Sequence, residues 1–306
     1  MSNKYNINEC FGIRAHVSAP VNQPVTMLAG VALSNIHKLL NKTEGITVKT
    51  YKVDVENGDM LIHVIRPDNP KGKLPCIIDI HGGGFVFDAA PHMYELAARY
   101  AIESGSVVIM PRYRLTPRNN YPVQLNDCRA AYDWVVNNAG KLHIDRDKIA
   151  LMGDSAGGYL AAMTTLYAVE RGDNLKFQLL IYPVTDPAMT TESMANYIDT
   201  PVWNAKNNRS MWKMYFRKQE VDPKSQSLLF MNLPDGIPAT YIETAEFDCL
   251  HDEGILYAKR LEENQGVSVT LYETKETMHG FDETKCDITE DAVKRRINYI
   301  KEHFKN

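Results

Sequence analysis

The stretch Ala150-Leu151-Met152-Gly153-Asp154-Ser155-Ala156-Gly157-Gly158 carries the chain from a short apolar run into a helical pattern, and the rest can be read outward from its serine. It has the form G-x-S-x-G between a strand-like segment (148–152) and a helix-like one (159–170). A serine on so sharp a turn takes strained backbone angles and has close neighbours on both sides. Glycines two residues before and after it, Gly153 and Gly157, leave room for them. The turn pushes the hydroxyl out of the sheet and sets the N–H of Ala156 at a helix N-terminus, where an anion is stabilised. That is the geometry a nucleophilic serine needs, but three fixed letters are also what an ordinary Gly-rich loop contains, so the remaining sequence decides.

With 306 residues, 44% hydrophobic and 24% charged, the chain can bury a large globular core. A formal net charge of -4 without basic blocks excludes a nucleic-acid partner by composition. The longest apolar run, residues 25–33, is too short to span a bilayer, so no membrane association is expected. No charged-apolar-small pattern opens the chain, which points to a cytoplasmic protein. Five scattered cysteines, Cys10, Cys76, Cys128, Cys249 and Cys286, are odd in number and lack ligand spacing. They suit reduced thiols better than a disulfide framework or a metal site.

Val25, Leu28, Ala29, Ala32, Ile36, Leu39 and Leu40 share one helical face, predicting a helix that lies on something apolar. From Thr47 the period changes to two, and Asn57-Gly58 predicts a hairpin turn between two antiparallel strands. Short apolar runs then alternate with amphipathic stretches as far as Tyr182, which predicts a parallel sheet covered on both faces. Between about Thr185 and Phe230 the alternation stops, and Met211, Trp212, Tyr215 and Phe216 gather on one side of a helical stretch. The alternation resumes at Ala239 and ends in a helix opened by Asp287-x-x-Glu290, with Val293, Ile297, Ile300 and Phe304 inward.

Directly after the strand pattern ending at Ile80 stands His81-Gly82-Gly83-Gly84-Phe85. Consecutive glycines bare backbone N–H groups, as stabilising a developing oxyanion requires; a phosphate loop would carry a Lys-Ser/Thr pair, which is missing. A serine hydroxyl also needs a base, and the base an orienting carboxylate. His279 follows the last strand pattern, where its side chain can swing over Ser155, whereas His63, His251 and His303 lie on strand or helix patterns. Asp248 follows the strand starting at Ala239 at once and satisfies the chain order serine, acid, histidine; Asp252 suits a helix-opening carboxylate. Glu246 and Glu253 read as solvated.

Through His81–Gly84, Tyr113-Arg114-Leu115-Thr116-Pro117, Gly153–Gly158, Leu180-Ile181-Tyr182-Pro183, residues 248–254 and His279-Gly280-Phe281, the chain resembles the hormone-sensitive-lipase-like esterases of the α/β-hydrolase superfamily. The resemblance spans residues 76–285. It implies an α/β-hydrolase fold with a mostly parallel eight-stranded sheet flanked by helices, a catalytic core of residues 46–184 and 231–306, and a helical cap of residues 1–45 and 185–230. It further implies hydrolysis of short- to medium-chain carboxylic esters, a small-molecule substrate, with Ser155 as nucleophile, His279 as base and Asp248 as its partner. The N–H groups of Gly83, Gly84 and Ala156 would then face the oxyanion. No metal and no organic cofactor enter this chemistry, and a sheet-edge homodimer is common among such proteins. Arg112, Thr116, Arg118 and Tyr159 depart from the family's usual residues around the pocket. Phe85, Tyr159, Trp203, Met211, Trp212, Tyr215 and Phe281 are candidate acyl-pocket residues, while their aromatic mass equally suits a core between cap and sheet. Two alternatives stay open at this point: a catalytically weak ligand-binding protein on the same fold, and an amidase or peptidase using the same triad.

Overall fold

The structure, a computed structural model, describes residues 4–18, 21 and 43–305. The helix expected over residues 25–40 lies outside them. Among the described residues one sheet contains β1 (Ile46–Val55), β2 (Gly58–Pro67), β3 (Leu74–Ile80), β4 (Val107–Arg112), β5 (Ile144–Asp154), β6 (Phe177–Ile181), β7 (Ala239–Phe247) and β8 (Val269–Met278). Their spatial order is β1-β2-β4-β3-β5-β6-β7-β8, with β2 antiparallel to both neighbours and every other pair parallel. The connections carry α1 (Pro91–Ser104), α2 (Val123–Asn138), α3 (Ala156–Glu170), α4 (Glu192–Asn196), α5 (Ala205–Tyr215), α6 (His251–Gln265) and α7 (Asp287–Lys305). Among the described residues no helix is long and apolar enough to cross a membrane.

The apolar runs are unbroken because the sheet has two apolar faces. Cys76, Ile78 and Ile80 of β3 join one buried cluster and Ile77 the other; β5 likewise parts Ile149 and Leu151 from Ala150 and Met152. Alternate side chains point to opposite faces, so a strand covered on both sides has few polar positions; Asp79 of β3 and Gln178 of β6 are the buried exceptions in β3 to β6. Leu125, Tyr132, Leu160 and Tyr257 bring α2, α3 and α6 onto one face; Tyr94, Ala97, Val293 and Ile297 bring α1 and α7 onto the other.

The order of strands decides where a site can form. β4 lies on one side of β3 and β5 on the other, so the chain reverses direction across the sheet between them, the position at which parallel sheets open a crevice at their carboxyl ends. Ile80 pairs with Gly153, Asp154 with Ile181 and Phe247 with Met278, so the loops after β3, β5, β6, β7 and β8 leave one edge together.

Three readings of the sequence change. The hairpin between β1 and β2 closes with Val55 opposite Gly58, centring the turn on Glu56 and Asn57, one residue earlier than Asn57-Gly58; of the two turn residues Glu56 and Asn57 only Asn57 takes positive φ, 58°. The last strand pattern in the sequence, residues 267–272, is longer in the structure: β8 runs six residues past Tyr272, and its pairing with β7 is irregular between Ala245 and Phe247, which swings the chain toward His279. Glu253, read as solvated, is fully buried and accepts hydrogen bonds from the N–H groups of Thr185 (2.6 Å) and Asp186 (3.2 Å). It anchors the start of the long segment between β6 and β7, and burial pushes its carboxyl well above the ordinary range.

Candidate active site

Ser155 sits between the end of β5 and α3 with φ 53° and ψ -121°. Such an angle is strained for any residue with a side chain. Its N–H donates to the Ile181 carbonyl (2.9 Å), and its own carbonyl accepts from Gly158 (3.0 Å) and Val184 (3.0 Å), so backbone bonds on both sides hold the turn. A Cβ at Gly157 would lie 1.9 Å from the Ile80 carbonyl oxygen, and one at Gly153 would lie 2.3 Å from that of Gly157. Both are backbone clashes that no side-chain motion relieves, which accounts for the two glycines of the motif.

Asp248 follows β7 and His279 follows β8, and the two strands carry them to Ser155. His279 Nδ1 is 2.6 Å from Asp248 Oδ2, and His279 Nε2 is 2.8 Å from Ser155 Oγ. A carboxylate can only accept, so Nδ1 carries the proton and Nε2 is left to accept from the serine hydroxyl. The other Asp248 oxygen, Oδ1, accepts from the N–H of Leu250 (3.0 Å). Asp252 is engaged elsewhere, with His251 Nδ1 (2.7 Å) and the N–H of Ser193 (2.7 Å). All three groups, Ser155, Asp248 and His279, are buried. The ring of Tyr182 meets His279 edge-on at 4.7 Å, and Tyr182 Oη donates to Asp282 Oδ1 at 2.5 Å.

The glycine loop after β3 is tied to the same turn. Gly82 N–H donates to Asp154 Oδ1 (2.9 Å), and a Cβ at Gly82 would collide with that carboxylate at 2.2 Å. Gly83 and Gly84 have φ of 99° and 60°, and among the described residues their N–H groups donate to no protein acceptor. Ala156 is the first residue of α3, where a backbone N–H has no helical partner. Three bare donors beside a hydroxyl aligned with an imidazole can stabilise negative charge developing on an attacked carbonyl oxygen. Tyr113 Oη donates to the His81 carbonyl (2.9 Å). Thr116 donates to the Phe85 carbonyl from both its N–H (2.8 Å) and its hydroxyl (3.2 Å), so this departure from the usual residue still clamps the loop. Arg112, another departure, pairs with Asp88.

Ser155, His279, Gly83 and Gly84 face a cleft of about 590 Å³, walled by Ile13, Val17, Phe87, Met93, Val202 and Trp203. Arg14, paired with Glu283, also lines it, as does His92. A larger hollow of about 840 Å³, lined by Thr47, Arg66, Lys73 and His143, opens at the amino ends of β3 and β5 and contains none of these groups. The position of the reactive groups, rather than size, marks the smaller one.

Of the expected acyl-pocket residues, Trp203 lines the cleft: its indole lies where a Cβ on Gly84 would meet it at 2.8 Å. Phe85, Tyr159, Met211, Trp212, Tyr215 and Phe281 do not line it, which corrects that expectation. Phe85 has φ 60°, which turns its ring into the core, where it stacks on Tyr215 at 4.1 Å and tilts against Trp212 at 5.6 Å. Tyr159 meets Trp212 edge-on at 5.3 Å and donates to the Gln226 carbonyl (3.0 Å); Met211 is buried in the same cluster. Phe281 packs between Tyr182 and Phe11 on the other face of the sheet. The residues missed were Ile13, Arg14 and Val17 in a polar N-terminal stretch, and Phe87 and Met93 beyond the glycines; only Phe87, two residues past the HGGGF motif, carried a signal.

A family model described as alpha/beta hydrolase fold matches residues 77–283. The chain belongs to the hormone-sensitive-lipase-like family of α/β-hydrolases. Among similar proteins of this family, carboxylesterase NlhH of Mycobacterium tuberculosis is 32% identical over 230 residues, 73% of this chain and 71% of that protein. Ethyl acetate hydrolase of Pseudomonas putida is 31% identical over 226 residues, 72% of this chain and 70% of that protein. Of solved structures, a bacterial heroin esterase superposes with a TM-score of 0.88 at 30% identity, covering 98% of each chain.

A buried carboxylate under this α/β-hydrolase site makes stability depend on pH. Burial, reinforced by Asp282 and opposed by Arg296, pushes Asp79 of β3 up to about 7 from 3.8. Between those values the folded chain holds a proton that the unfolded chain has released, so stability falls as pH rises through this window. Asp79→Asn removes that loss, by about 1.4 kcal/mol for each pKa unit of the shift. Thermal melts should show the variant gaining on the parent between pH 5 and pH 8; a difference independent of pH would refute the assignment.

Proposed function

We propose that this protein is a carboxylic ester hydrolase acting on short- to medium-chain esters through an acyl-enzyme on Ser155. The reading is carried by the continuous hydrogen-bond line from Asp248 through His279 to Ser155, which ends in an apolar cleft beside Gly83 and Gly84. Ester hydrolysis by the similar proteins supports it. In the first step His279 Nε2 takes the serine proton as Oγ attacks the ester carbonyl, and Asp248 holds the imidazolium that forms. The oxyanion is met by the N–H groups of Gly83, Gly84 and Ala156. His279 then returns the proton to the departing alkoxide, and water repeats the sequence on the acyl-enzyme. Residues 185–230 and the N-terminal segment serve as a cap, through which Trp203, Ile13 and Val17 wall the acyl group from water.

A panel of p-nitrophenyl esters from acetate to hexanoate tests the reading, with acetate and butyrate expected to be cleaved. Binding of the esters without turnover anywhere along the series would favour a ligand-binding protein instead.

A further inference from the structure

Cys10 and Cys286 stand at opposite ends of the chain, yet their sulfur atoms are 2.7 Å apart. All five cysteines are free thiols; Cys76, Cys128 and Cys249 are buried, while Cys10 is exposed and Cys286 half-buried. A disulfide bond is about 2.05 Å long, so closing this pair needs a movement of well under 1 Å. We propose that Cys10 and Cys286 form a modification site, a thiol pair that closes to an intramolecular disulfide by exchange with a small-molecule disulfide and staples the N-terminal segment to the start of α7.

What the staple would join is already docked. Cys10 belongs to the 3-10 segment Glu9–His16, and the preceding Asn8 bonds to Glu276 through its N–H (2.9 Å) and side chain (2.6 Å). Phe11 meets Phe281 edge-on, and Arg14 pairs with Glu283. Each contact joins this segment to residues 276–286, so the covalent link would fix an arrangement that non-covalent contacts already select. Ile13 and Arg14 of the segment and Glu283 opposite them line the cleft at Ser155. The staple would hold that wall.

The two sulfurs differ as chemistry requires. Cys286 immediately precedes α7. Burial works against its thiolate, but hydrogen bonds from Cys10 and from the first turn of α7 bring its thiol below the ordinary value. Partial desolvation against Cys286 and the hydrogen bond to it push Cys10 up to about 12. The place of Cys286 at the amino end of α7, where a helix stabilises negative charge, makes it the attacking sulfur. Its thiolate attacks one sulfur of an external disulfide RSSR, and RS⁻ leaves and takes up the proton that Cys286 lost. The Cys10 sulfur, giving up its proton, then attacks the Cys286 sulfur of the mixed disulfide and displaces the second RS⁻, which is protonated to RSH. Two electrons pass from the protein thiols to RSSR, giving one protein disulfide and two RSH.

The test equilibrates the full-length protein with oxidised glutathione, quenches with acid, alkylates under denaturing conditions and maps the peptides. A linked peptide carrying Cys10 and Cys286 is expected, lighter by two hydrogens than its halves, with Cys76, Cys128 and Cys249 alkylated. Because the bond closes a loop of nearly the whole chain, the oxidised protein should melt about 5 °C or more above the dithiothreitol-treated protein. Cys286→Ser should lose that redox-dependent difference. Separate glutathione adducts or free thiols at both positions would overturn the proposal, as would a linked peptide with no change in melting temperature.

Discussion

Ser155→Ala is expected to lower kcat on p-nitrophenyl butyrate by on the order of 10⁶-fold while leaving the melting temperature close to that of the parent. The backbone bonds that hold the turn, to Ile181, Gly158 and Val184, do not involve the side chain, so the fold loses only a hydroxyl whose partner is His279. The N–H groups of the glycine loop and the cleft walls would remain, and they account for whatever turnover persists above the uncatalysed rate. Circular dichroism and steady-state kinetics on the same preparation check both halves. A variant that keeps a tenth of its activity would remove Ser155 from the chemistry.

Asp248→Asn should cost up to about 10⁴-fold in kcat, with the fold again preserved. The size follows from the hydrogen bonds. Leu250 N–H donates to Oδ1, so the amide oxygen of the new side chain must take that position and its NH₂ must face His279 Nδ1. An NH₂ group donates, which forces Nδ1 to accept and moves the ring proton to Nε2, where it can no longer take the proton of Ser155. Asp252→Asn is the control, because Asp252 serves His251 and the amino end of α4, and its effect on kcat should be far smaller. Comparable losses in the two variants would mean that Asp248 is not the orienting carboxylate.

What was legible in the sequence is what short-range chemistry dictates. The tight turns at G-x-S-x-G and after β3 were legible because a positive φ or a backbone clash leaves few residue choices at Gly153, Gly157 and Gly83. The sheet read correctly because burial on both faces leaves mostly apolar residues in the centres of β3 to β6, with Asp79 and Gln178 as buried exceptions. His279 and Asp248 were placed by their position after strands, and the registers Ile80–Gly153 and Phe247–Met278 bring those strand ends to one edge.

The misread residues are those whose environment comes from distant parts of the chain. Arg296 gave no signal on a helix whose inward face was read from Val293, Ile297 and Ile300. It is nonetheless fully buried, bonded to Glu243 (3.0 and 3.1 Å), Asp282 (2.6 Å) and Tyr100 (3.3 Å). Asp282 in turn accepts from Tyr182 beside His279, so α7 supports the edge that holds His279 through a charge that hydrophobic periodicity cannot show. Glu253 was misread for the same reason, since the N–H groups that donate to its Oε1 lie some 70 positions earlier. The aromatic residues of α5 and α3 carry equal apolar area whether they face a substrate or each other. Only the φ of Phe85 and the packing of Tyr215 against it decide for the core.

The central claim, that His279 and Asp248 make the Ser155 hydroxyl nucleophilic, is tested most directly by stoichiometric reaction with a fluorophosphonate followed by peptide mapping. One phosphonyl group is expected per chain, on Ser155, with ester hydrolysis lost in proportion to labelling. Label on another residue while hydrolysis disappears, or full hydrolysis after complete modification of Ser155, would contradict it.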